Sequence, residues 1–430
     1  MSRSTAGRER RSSHDQDEER VADNTRMVSE RLETHASFAA AVRRGLDRYD
    51  DAKGLDAEFT RGNIGAHLAS RLLSPARLYR VIETHALMPP ELRFLNNGVE
   101  LHPKQFLART AQGSPARMPD PERVSRLLDE GATVVVDALQ RMDLVLELAC
   151  RSLQWWLGER VEVNAYLTTG QTFGFSRHAD DHDVLVVQID GEKDWEIGGF
   201  SSRHRQRQST SGARPGPHEL VWEGRLRSGD VIYLPNGQLH RARHEGSGYS
   251  LHLTFGFSRR NGADWAHWIA DKLSESAVSG AESQRLEEGA TGQEGTLISA
   301  LSSLAVAHPP SSYLNGGSDT DVARGHIYSS SVSPRPECIV CMTEFPARLE
   351  MVGDQELEVL ADGRRALVGS TALPAVERFV SGHPVTMTEA EQLVGEEARE
   401  VAEVLLRERI CSEATPEVLE AFAVGRGSLP

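Results

Sequence analysis

Two short stretches of the chain carry histidine and aspartate side chains at spacings that suit a metal site. His178 and Asp180 lie two residues apart, directly ahead of the apolar run DVLVVQID (183–190). On an extended segment, side chains two residues apart project to the same side, so both can reach one cation. A third ligand must come from a distant segment, and His240, after the apolar run DVIYLP (230–235) and a Pro-Asn-Gly turn, is the candidate.

This set of donors indicates a particular metal chemistry. Two imidazoles and one carboxylate on one face form the facial triad of non-haem iron(II) oxygenases. The coordination positions that remain open suit a bidentate 2-oxoacid and dioxygen. A His-x-Asp pair alone is a weak signal in a chain with 16 histidines. The prediction therefore depends on the sequence around the pair.

That surrounding sequence resembles the JmjC-type cupin oxygenases, and among them the ribosomal-oxygenase-like branch. The resemblance covers ATVVVDALQRMD (132–143), NAYLTTGQTFGFSRHADDHDVLVVQIDGEKDWEI (164–197), GDVIYLPNGQLHRA (229–242) and SLHLTFGF (250–257), in that order. It implies an α+β fold whose core is a double-stranded β-helix, the jelly-roll of the cupins. It also implies iron(II) held by His178, Asp180 and His240 as the catalytic centre, with 2-oxoglutarate and dioxygen as co-substrates.

The resemblance further implies residues for binding 2-oxoglutarate. In this branch a basic residue fifteen positions after the first histidine binds the distal carboxylate, and Lys193 stands there. A lysine in a partly dry pocket requires an anionic partner, whereas the alternative is an ordinary surface lysine. The branch also has a pocket asparagine fourteen positions before that histidine, and Asn164 matches it. Strand alternation directs three further side chains to the same cavity: Tyr166, Thr168 and Ser250.

Other candidate ligands receive weaker roles. His182 is interpreted as a residue of the pocket rim, His244 as an exposed turn residue, and His252 as either a cavity residue or an ordinary strand residue. Asp181 and Asp183 are expected to organise the entry to the following strand, and Asp230 is expected to lie in a turn. Cys338 and Cys341 have zinc-knuckle spacing without a suitable second pair, which favours two half-buried thiols over a zinc site.

The elements that position these residues divide the chain into five parts. Apolar periodicity predicts a helix face that includes Val28 and Leu32 and helices over 143–158 and 388–410, and Asn-Asn-Gly predicts a hairpin at 93–101. Residues 274–334 are expected to be a linker with one helical piece. Short β-rich runs predict separate strands at 161–169, 183–190, 193–200, 230–235 and 249–257. We predict a disordered tail (1–25), a mostly helical region with strands that extend the core (26–160), the JmjC/cupin core (161–260), a helical dimerisation segment with a linker (261–334) and a winged-helix-like C-terminal domain (335–430).

Composition excludes several classes of protein. The N-terminus lacks an apolar signal region, no run of eighteen apolar residues occurs, and the four cysteines are scattered, so we expect a cytoplasmic protein. The net charge of −15 argues against general nucleic-acid binding. Residues 201–218 carry four arginines and no acid, which fits either a solvated loop or a landing surface for an acidic partner.

We therefore predict an oxygenase that hydroxylates a side chain of a protein or peptide, converting 2-oxoglutarate to succinate and carbon dioxide. The resemblance suggests a ribosomal protein as one substrate class and a homodimer as the assembly. Two alternatives stay open. The first is a tailoring hydroxylase for a natural product or precursor peptide. The second is a non-catalytic, metal-binding cupin that acts as an interaction module.

Overall fold

The computed structural model describes residues 38–49, 55, 58–109, 115–171, 174–201, 216, 218–246, 248–275, 291–316 and 336–425. The chain divides into two compact units, one formed by residues 37–324 with 415–430 and the other by residues 1–36 with 325–414. Three predictions lie outside the described residues: the disordered tail 1–25, the helix face at Val28 and Leu32, and most of the basic segment 201–218.

An antiparallel sheet forms the centre of the larger unit, with ten strands in the part of the chain described. Its main path follows the order β1-β10-β8-β12-β7-β6-β2-β3, and β9 and β11 pair with β8. The strands of this unit are β1 (Thr60–Asn63), β2 (Leu92–Asn96), β3 (Val99–Glu100), β4 (Leu107–Arg109), β5 (Pro115–Pro119), β6 (Thr133–Val136), β7 (Val161–Thr168), β8 (Asp183–Phe200), β9 (Leu220–Arg227), β10 (Asp230–Leu234), β11 (Gln238–Arg243) and β12 (Ser250–Phe257). β4 and β5 pair separately.

The long strand β8 belongs to two layers of the sheet. Its first half pairs with β10 and β12, and its second half pairs with β9 and β11. Gly191 lies between the halves with φ 64°, and an added Cβ there would lie 2.0 Å from the Tyr249 carbonyl oxygen. The sequence predicted two separate strands here, whereas Gly191 lets one strand change direction without ending. The predicted jelly-roll architecture is confirmed.

The two faces of β7 and β12 have different partners. Their odd-numbered residues join the main hydrophobic core with the helix Leu144–Leu157, which begins at the capping residue Asp143 and ends at Gly158. Their even-numbered residues face the opposite side. A second, smaller apolar cluster includes Val186 of β8, Leu226 of β9 and Ile232 of β10. The alternation thus leaves one face of the sheet available for a pocket.

Helices cover the remaining parts of the larger unit. Its described helices are Phe38–Gly45, Ala66–Leu72, Pro75–Thr84, Pro121–Asp129, Leu144–Leu157, Gly262–Glu275, Thr291–Ala307, Pro310–Gly316 and Pro416–Gly425. Where the sequence predicted a linker with one helical piece, residues 291–316 form two helices. None of the helices in the described part of the chain combines the length and hydropathy needed to cross a bilayer.

The smaller unit contains two three-stranded sheets and three α-helices among its described residues. One sheet has the order β17-β13-β18 and the other the order β14-β15-β16. The elements are β13 (Cys338–Cys341), β14 (Arg348–Val352), β15 (Glu356–Ala361), β16 (Arg364–Gly369), β17 (Val385–Thr386), β18 (Cys411–Glu413) and the helices Leu373–Phe379, Met387–Val394 and Glu397–Arg407. The winged-helix interpretation stays a prediction.

Two features of the C-terminal region differ from the sequence-based expectation. A single helix was predicted over 388–410, but Gly395, with φ 69°, ends one helix before the next begins. The predicted C-terminal domain included the helix Pro416–Gly425, which the structure groups with the larger unit. There the Arg71 guanidinium donates to the Ala423 carbonyl at 2.8 Å.

Candidate metal centre and pocket

The three predicted ligands lie together at one end of the sheet. His178 and Asp180 are on the extended segment before β8, and His240 is on β11, which pairs with the His178 segment through a single antiparallel bridge. Nε2 of His178 and Nε2 of His240 each lie 3.6 Å from a carboxylate oxygen of Asp180. The three donor atoms lie within 4.8 Å of one another, so all three surround the position of one cation.

The other nitrogen of each imidazole is fixed by a main-chain carbonyl. Nδ1 of His178 lies 2.9 Å from the Ser176 oxygen, and Nδ1 of His240 lies 3.1 Å from the Gln238 oxygen. Because a carbonyl only accepts, each Nδ1 is the donor in these bonds, and each Nε2 is the nitrogen directed at Asp180. Burial lowers the pKa of His240, which favours the neutral imidazole that a metal requires.

Lys193 projects into the interior between the layers. Its side chain is 2% exposed, and its ammonium donates to the Thr168 hydroxyl at 2.9 Å. Thr168 in turn contacts the Thr133 hydroxyl at 3.0 Å. Burial lowers the pKa of Lys193 to about 7, and no acidic group of the described residues forms an ion pair with it. The alternative of a surface lysine is therefore excluded.

The predicted pocket residues of β7 and β12 meet in register. Asn164 pairs with Thr254, Tyr166 with His252 and Thr168 with Ser250. The rings of Tyr166 and His252 stack with centroids 4.8 Å apart and planes 2° apart. Asn164 uses its carbonyl oxygen to accept from the Ala138 amide at 2.9 Å, and Ser250 accepts from Gln188 at 3.0 Å. The structure thus brings Asn164, Tyr166, Thr168 and Ser250 to the face that carries Lys193.

Comparison with known proteins assigns this part of the chain to a family. Residues 145–265 match the family model described as the JmjC domain. The chain contains a JmjC domain. The region that carries all three candidate ligands and Lys193 lies inside the matched segment, so the resemblance to JmjC proteins drawn from the sequence is confirmed there.

Similar proteins include two from animals and one from a bacterium. The chain is 29% identical over 145 residues to a bifunctional lysine-specific demethylase and histidyl-hydroxylase of Caenorhabditis elegans (33% of this chain, 19% of that protein). It is 31% identical over 159 residues to ribosomal oxygenase 1 of Gallus gallus (36% and 25%). The crystal structure of Escherichia coli ribosomal oxygenase YcfD gives a TM-score of 0.49 at 15% identity, covering 79% of this chain and 90% of that one. The matched segments thus span a quarter or less of these two animal relatives.

Aromatic rings line the JmjC pocket on the side of the histidine ligands. The Trp195 ring lies 6.0 Å from the His240 ring and 5.7 Å from the His252 ring. The Phe175 ring lies 5.6 Å from the His178 ring and 6.2 Å from the Tyr166 ring. The sequence reasoning did not assign either residue to the pocket. For Trp195 a signal was present, because it lies two residues from Lys193 on the same strand and so shares its face.

A buried network holds the turn that precedes His240 in the JmjC domain. The Asp183 carboxylate is 4% exposed and accepts from the Asn236 amide at 2.7 Å, the Tyr233 hydroxyl at 2.9 Å and the Arg259 guanidinium at 2.5 Å. The Asp181 carbonyl accepts from the Asn236 side chain at 2.6 Å. The prediction that Asp183 organises the strand entry is confirmed, whereas Asp181 takes part through its main-chain carbonyl.

Three other histidines were weaker candidates for metal ligands. The His182 ring lies against Gly256, where an added Cβ would lie 2.9 Å from it, and its place at the pocket rim stays a prediction. His252 is buried in the cavity, and burial, followed by the charge of Lys193, lowers its pKa well below the ordinary value. The prediction that His244 is exposed is wrong. It is 1% exposed, and its Nδ1 lies 3.0 Å from the Glu192 carbonyl oxygen.

The residues of the JmjC pocket fit iron(II) and a dicarboxylic 2-oxoacid. The donor set consists of two imidazoles and a carboxylate, which are ligands that iron(II) accepts. Lys193 is a buried cation whose partner is a neutral hydroxyl, so an anion would compensate its charge. The arrangement therefore provides one place for a divalent metal and another for a carboxylate.

Proposed function

We propose that this chain is an iron(II)- and 2-oxoglutarate-dependent oxygenase that hydroxylates a side chain of a protein or peptide. The observation that carries the proposal is the combination of the triad with the buried Lys193 in one pocket. A structural metal site would have a closed ligand set and no need of a buried cation nearby. An oxygenase requires open coordination positions and a counter-charge for the diacid.

Each pocket residue has a separate task in the proposed reaction. When bound, iron(II) supplies the activation of dioxygen that couples oxidative decarboxylation of 2-oxoglutarate to hydroxylation. His178, Asp180 and His240 would hold the metal. Lys193 and the Thr168 hydroxyl bind the distal carboxylate of 2-oxoglutarate, and the buried position of Lys193 strengthens that charge–charge interaction.

The neighbouring side chains orient the co-substrate. Tyr166 stacks on His252, so its ring is held in one plane, and Asn164 is fixed by the Ala138 amide. Ser250 is tied to Gln188 on β8. We propose that these groups line the channel between the metal and Lys193. A preorganised wall reduces the number of poses that 2-oxoglutarate can adopt before reaction.

The substrate is proposed as a side chain of a protein or peptide, with ribosomal proteins as the first class to test. Support comes from the similar proteins, which include a histidyl-hydroxylase and a ribosomal oxygenase. The tailoring of a natural product or precursor peptide uses the same pocket chemistry. Mass spectrometry of both substrate classes after incubation with the protein would distinguish them by a mass gain of one oxygen atom.

The non-catalytic cupin alternative is tested without knowing the substrate. Anaerobic addition of iron(II) and then 2-oxoglutarate should produce the visible charge-transfer band of the chelate, and oxygen should then release succinate. A band without succinate in the presence of every substrate tried would favour a binding module. Absence of the band in iron-loaded protein would contradict the proposed function itself.

We also propose a homodimer assembled through the helices that follow the JmjC core, with the cytoplasm as its location. The helices Thr291–Ala307 and Pro310–Gly316 expose large apolar side chains, among them Val306 at 83% and Ile298 at 65%. Exposed apolar residues grouped on neighbouring helices are typical of an interface. Support for the cytoplasm comes from the four cysteines, none of which is in a disulfide bond.

A further inference from the structure

Two cysteines of the smaller unit face each other across a β-ladder. Cys341 is the last residue of β13 and Cys411 is the first residue of β18, and the register of these antiparallel strands places them directly opposite one another. Both are buried, at 2% and 3% exposure. They are separated by seventy residues in sequence, so the fold alone brings them together.

We propose that Cys341 and Cys411 form a reversible disulfide, which makes this pair a site of oxidation by hydrogen peroxide or an organic hydroperoxide. Directly opposed residues of an antiparallel pair have Cα atoms about 4.5–5.5 Å apart. Disulfides span Cα separations of roughly 4.4–6.8 Å. The bond therefore requires little movement of either strand.

The two thiols have different surroundings, which assigns them different roles. The Cys341 sulfur lies 3.2 Å from the Thr343 hydroxyl oxygen, whereas the Cys411 sulfur lies 3.8 Å from the Phe379 carbonyl oxygen. The hydrogen bond between the thiols lowers the pKa of Cys341 and raises that of Cys411. Cys341 is thus the attacking sulfur and Cys411 the resolving one.

The proposed chemistry balances with the hydroperoxide as the only oxidant. The Cys341 thiolate attacks the terminal oxygen, the O–O bond breaks, and the alcohol or water leaves with a proton from solvent. The Cys341 sulfenic acid is then attacked by the Cys411 sulfur, which loses its proton as water departs. Two thiols lose two electrons in total, and one hydroperoxide gains them.

The other two cysteines cannot replace either member of the pair. Cys338 is three residues from Cys341 on the same strand, so the two side chains point to opposite faces. This geometry also explains why the Cys-x-x-Cys spacing at 338–341 does not form a chelating pair. Cys150 lies in the helix Leu144–Leu157 of the larger unit. Both therefore serve as internal controls.

The test uses the full-length protein. It is incubated with graded hydrogen peroxide until oxidation is complete, since buried thiols react only as the strands open locally. It is then denatured in the presence of N-ethylmaleimide, which alkylates the remaining thiols, and digested without reductant. We expect one peptide pair joined through Cys341 and Cys411, which disappears after dithiothreitol. Cys150 should remain alkylated. The proposal would be overturned if Cys341 and Cys411 were both recovered in alkylated form while Cys338 was oxidised. A disulfide that involves Cys338 would also overturn it.

Variants separate the roles of the two sulfurs. Cys338→Ser should retain the linked peptide. Cys411→Ser should lose it and leave a Cys341 sulfenic acid that dimedone traps, whereas trapping at Cys338 instead would contradict the assignment. If Cys411→Ser does not fold, the mapping of the wild-type protein still decides. Because these residues lie outside the JmjC pocket, the outcome does not depend on the proposed oxygenase activity.

Discussion

The backbones of His178 and His240 hydrogen-bond to each other in both directions. The His178 amide donates to the His240 carbonyl at 3.0 Å, and the His240 amide donates to the His178 carbonyl at 2.8 Å. Two ligands that lie about sixty residues apart in sequence are therefore held side by side by the main chain. Since neither bond involves an imidazole, we expect the site to keep its shape before metal binds.

The first prediction compares His178, which belongs to the triad, with His244, which does not. His178→Ala removes a ligand and should abolish iron(II) binding, with a small effect on stability because its side chain is 38% exposed. His244→Ala should retain iron(II) binding, because Nδ1 of His244 contacts the Glu192 carbonyl rather than the triad. Its burial predicts a loss of about 1–3 kcal/mol in the free energy of unfolding.

Anaerobic calorimetry with iron(II) measures the first effect, and denaturant unfolding of the metal-free variants measures the second. Each variant serves as the control for the other. Loss of iron binding in His244→Ala with its fold intact, or normal binding in His178→Ala, would contradict the assignment of the ligands.

The second prediction is that Lys193→Met changes stability and co-substrate binding in opposite directions. A buried ammonium whose partner is the neutral Thr168 hydroxyl destabilises the free protein, so an apolar side chain of similar length should raise the free energy of unfolding by about 1–3 kcal/mol. Affinity for 2-oxoglutarate should fall about 10- to 100-fold. The exposed Lys104→Met is the matched control and should change neither.

Thermal unfolding and anaerobic titration of the iron-loaded variants give the two quantities. A Lys193→Met protein that is less stable than wild type but binds 2-oxoglutarate normally would assign Lys193 a structural role only.

The third prediction concerns pH and follows from the lowered pKa of Lys193. Burial lowers it to about 7 in the free protein, from an ordinary value of 10.5. As pH falls from about 10 to 7, the unfolded chain takes up this proton while the folded free protein does not, so the free energy of unfolding decreases. Below pH 7 this group causes no further decrease. A bound carboxylate raises the pKa of Lys193, so binding above pH 7 requires proton uptake.

The apparent affinity for 2-oxoglutarate should accordingly decrease between pH 7 and 9, approaching tenfold per pH unit. Calorimetry in two buffers of different ionisation enthalpy measures the proton taken up. An affinity that stays constant over this range, with no buffer dependence, would show that Lys193 is already charged before 2-oxoglutarate binds.

The sequence was sufficient for the parts of the fold that have their own apolar pattern. β7, β12 and the helix Leu144–Leu157 alternate or repeat clearly, and each was predicted close to its observed bounds. β9 and β11 were missed. Their sequences, LVWEGRLR and QLHRAR, are largely polar, and their extended form is set by pairing with β8 rather than by their own residues.

The same cause explains the error at His244. The sequence suggested a turn, and turn residues are usually exposed. The structure continues the alternation of β11 past its last residue, so that His240, Ala242 and His244 share the inward face. Had β11 been predicted as a strand, its alternation would have placed His244 on the buried face. The triad itself was predictable because its segments flank two strongly apolar strands, β8 and β10.

The fourth prediction tests the proposed dimer. Charged side chains at Val306 and Ile298, introduced together as Val306→Asp and Ile298→Asp, should convert the protein to monomers, because burying an unpaired carboxylate in an apolar interface is unfavourable. Val99→Asp, at a residue that is 66% exposed on the β2–β3 hairpin, is the control. Light scattering gives the mass in solution. A wild-type protein that is monomeric at all concentrations would end the dimer proposal.

The last prediction concerns a buried carboxylate that supports the metal site but is not one of its three candidate ligands. Asp183→Asn replaces an acceptor of three hydrogen bonds by a group with only one carbonyl oxygen, next to the Arg259 guanidinium. The free energy of unfolding should fall by about 3–5 kcal/mol. Because the Asn236 amide would lose its partner, the turn before His240 should loosen, and iron(II) affinity should fall about 10- to 100-fold.

Asp230→Asn is the matched control at the other end of β10. Its carboxylate also accepts from a turn amide, that of Arg227 at 2.7 Å, but it lies at the end of β10 away from the turn that leads to His240. We expect it to lower stability while iron(II) affinity stays the same. Calorimetric titration of both variants, below their unfolding transitions, measures the difference. If the two variants bind iron(II) equally well, the network around Asp183 stabilises the fold without positioning His240.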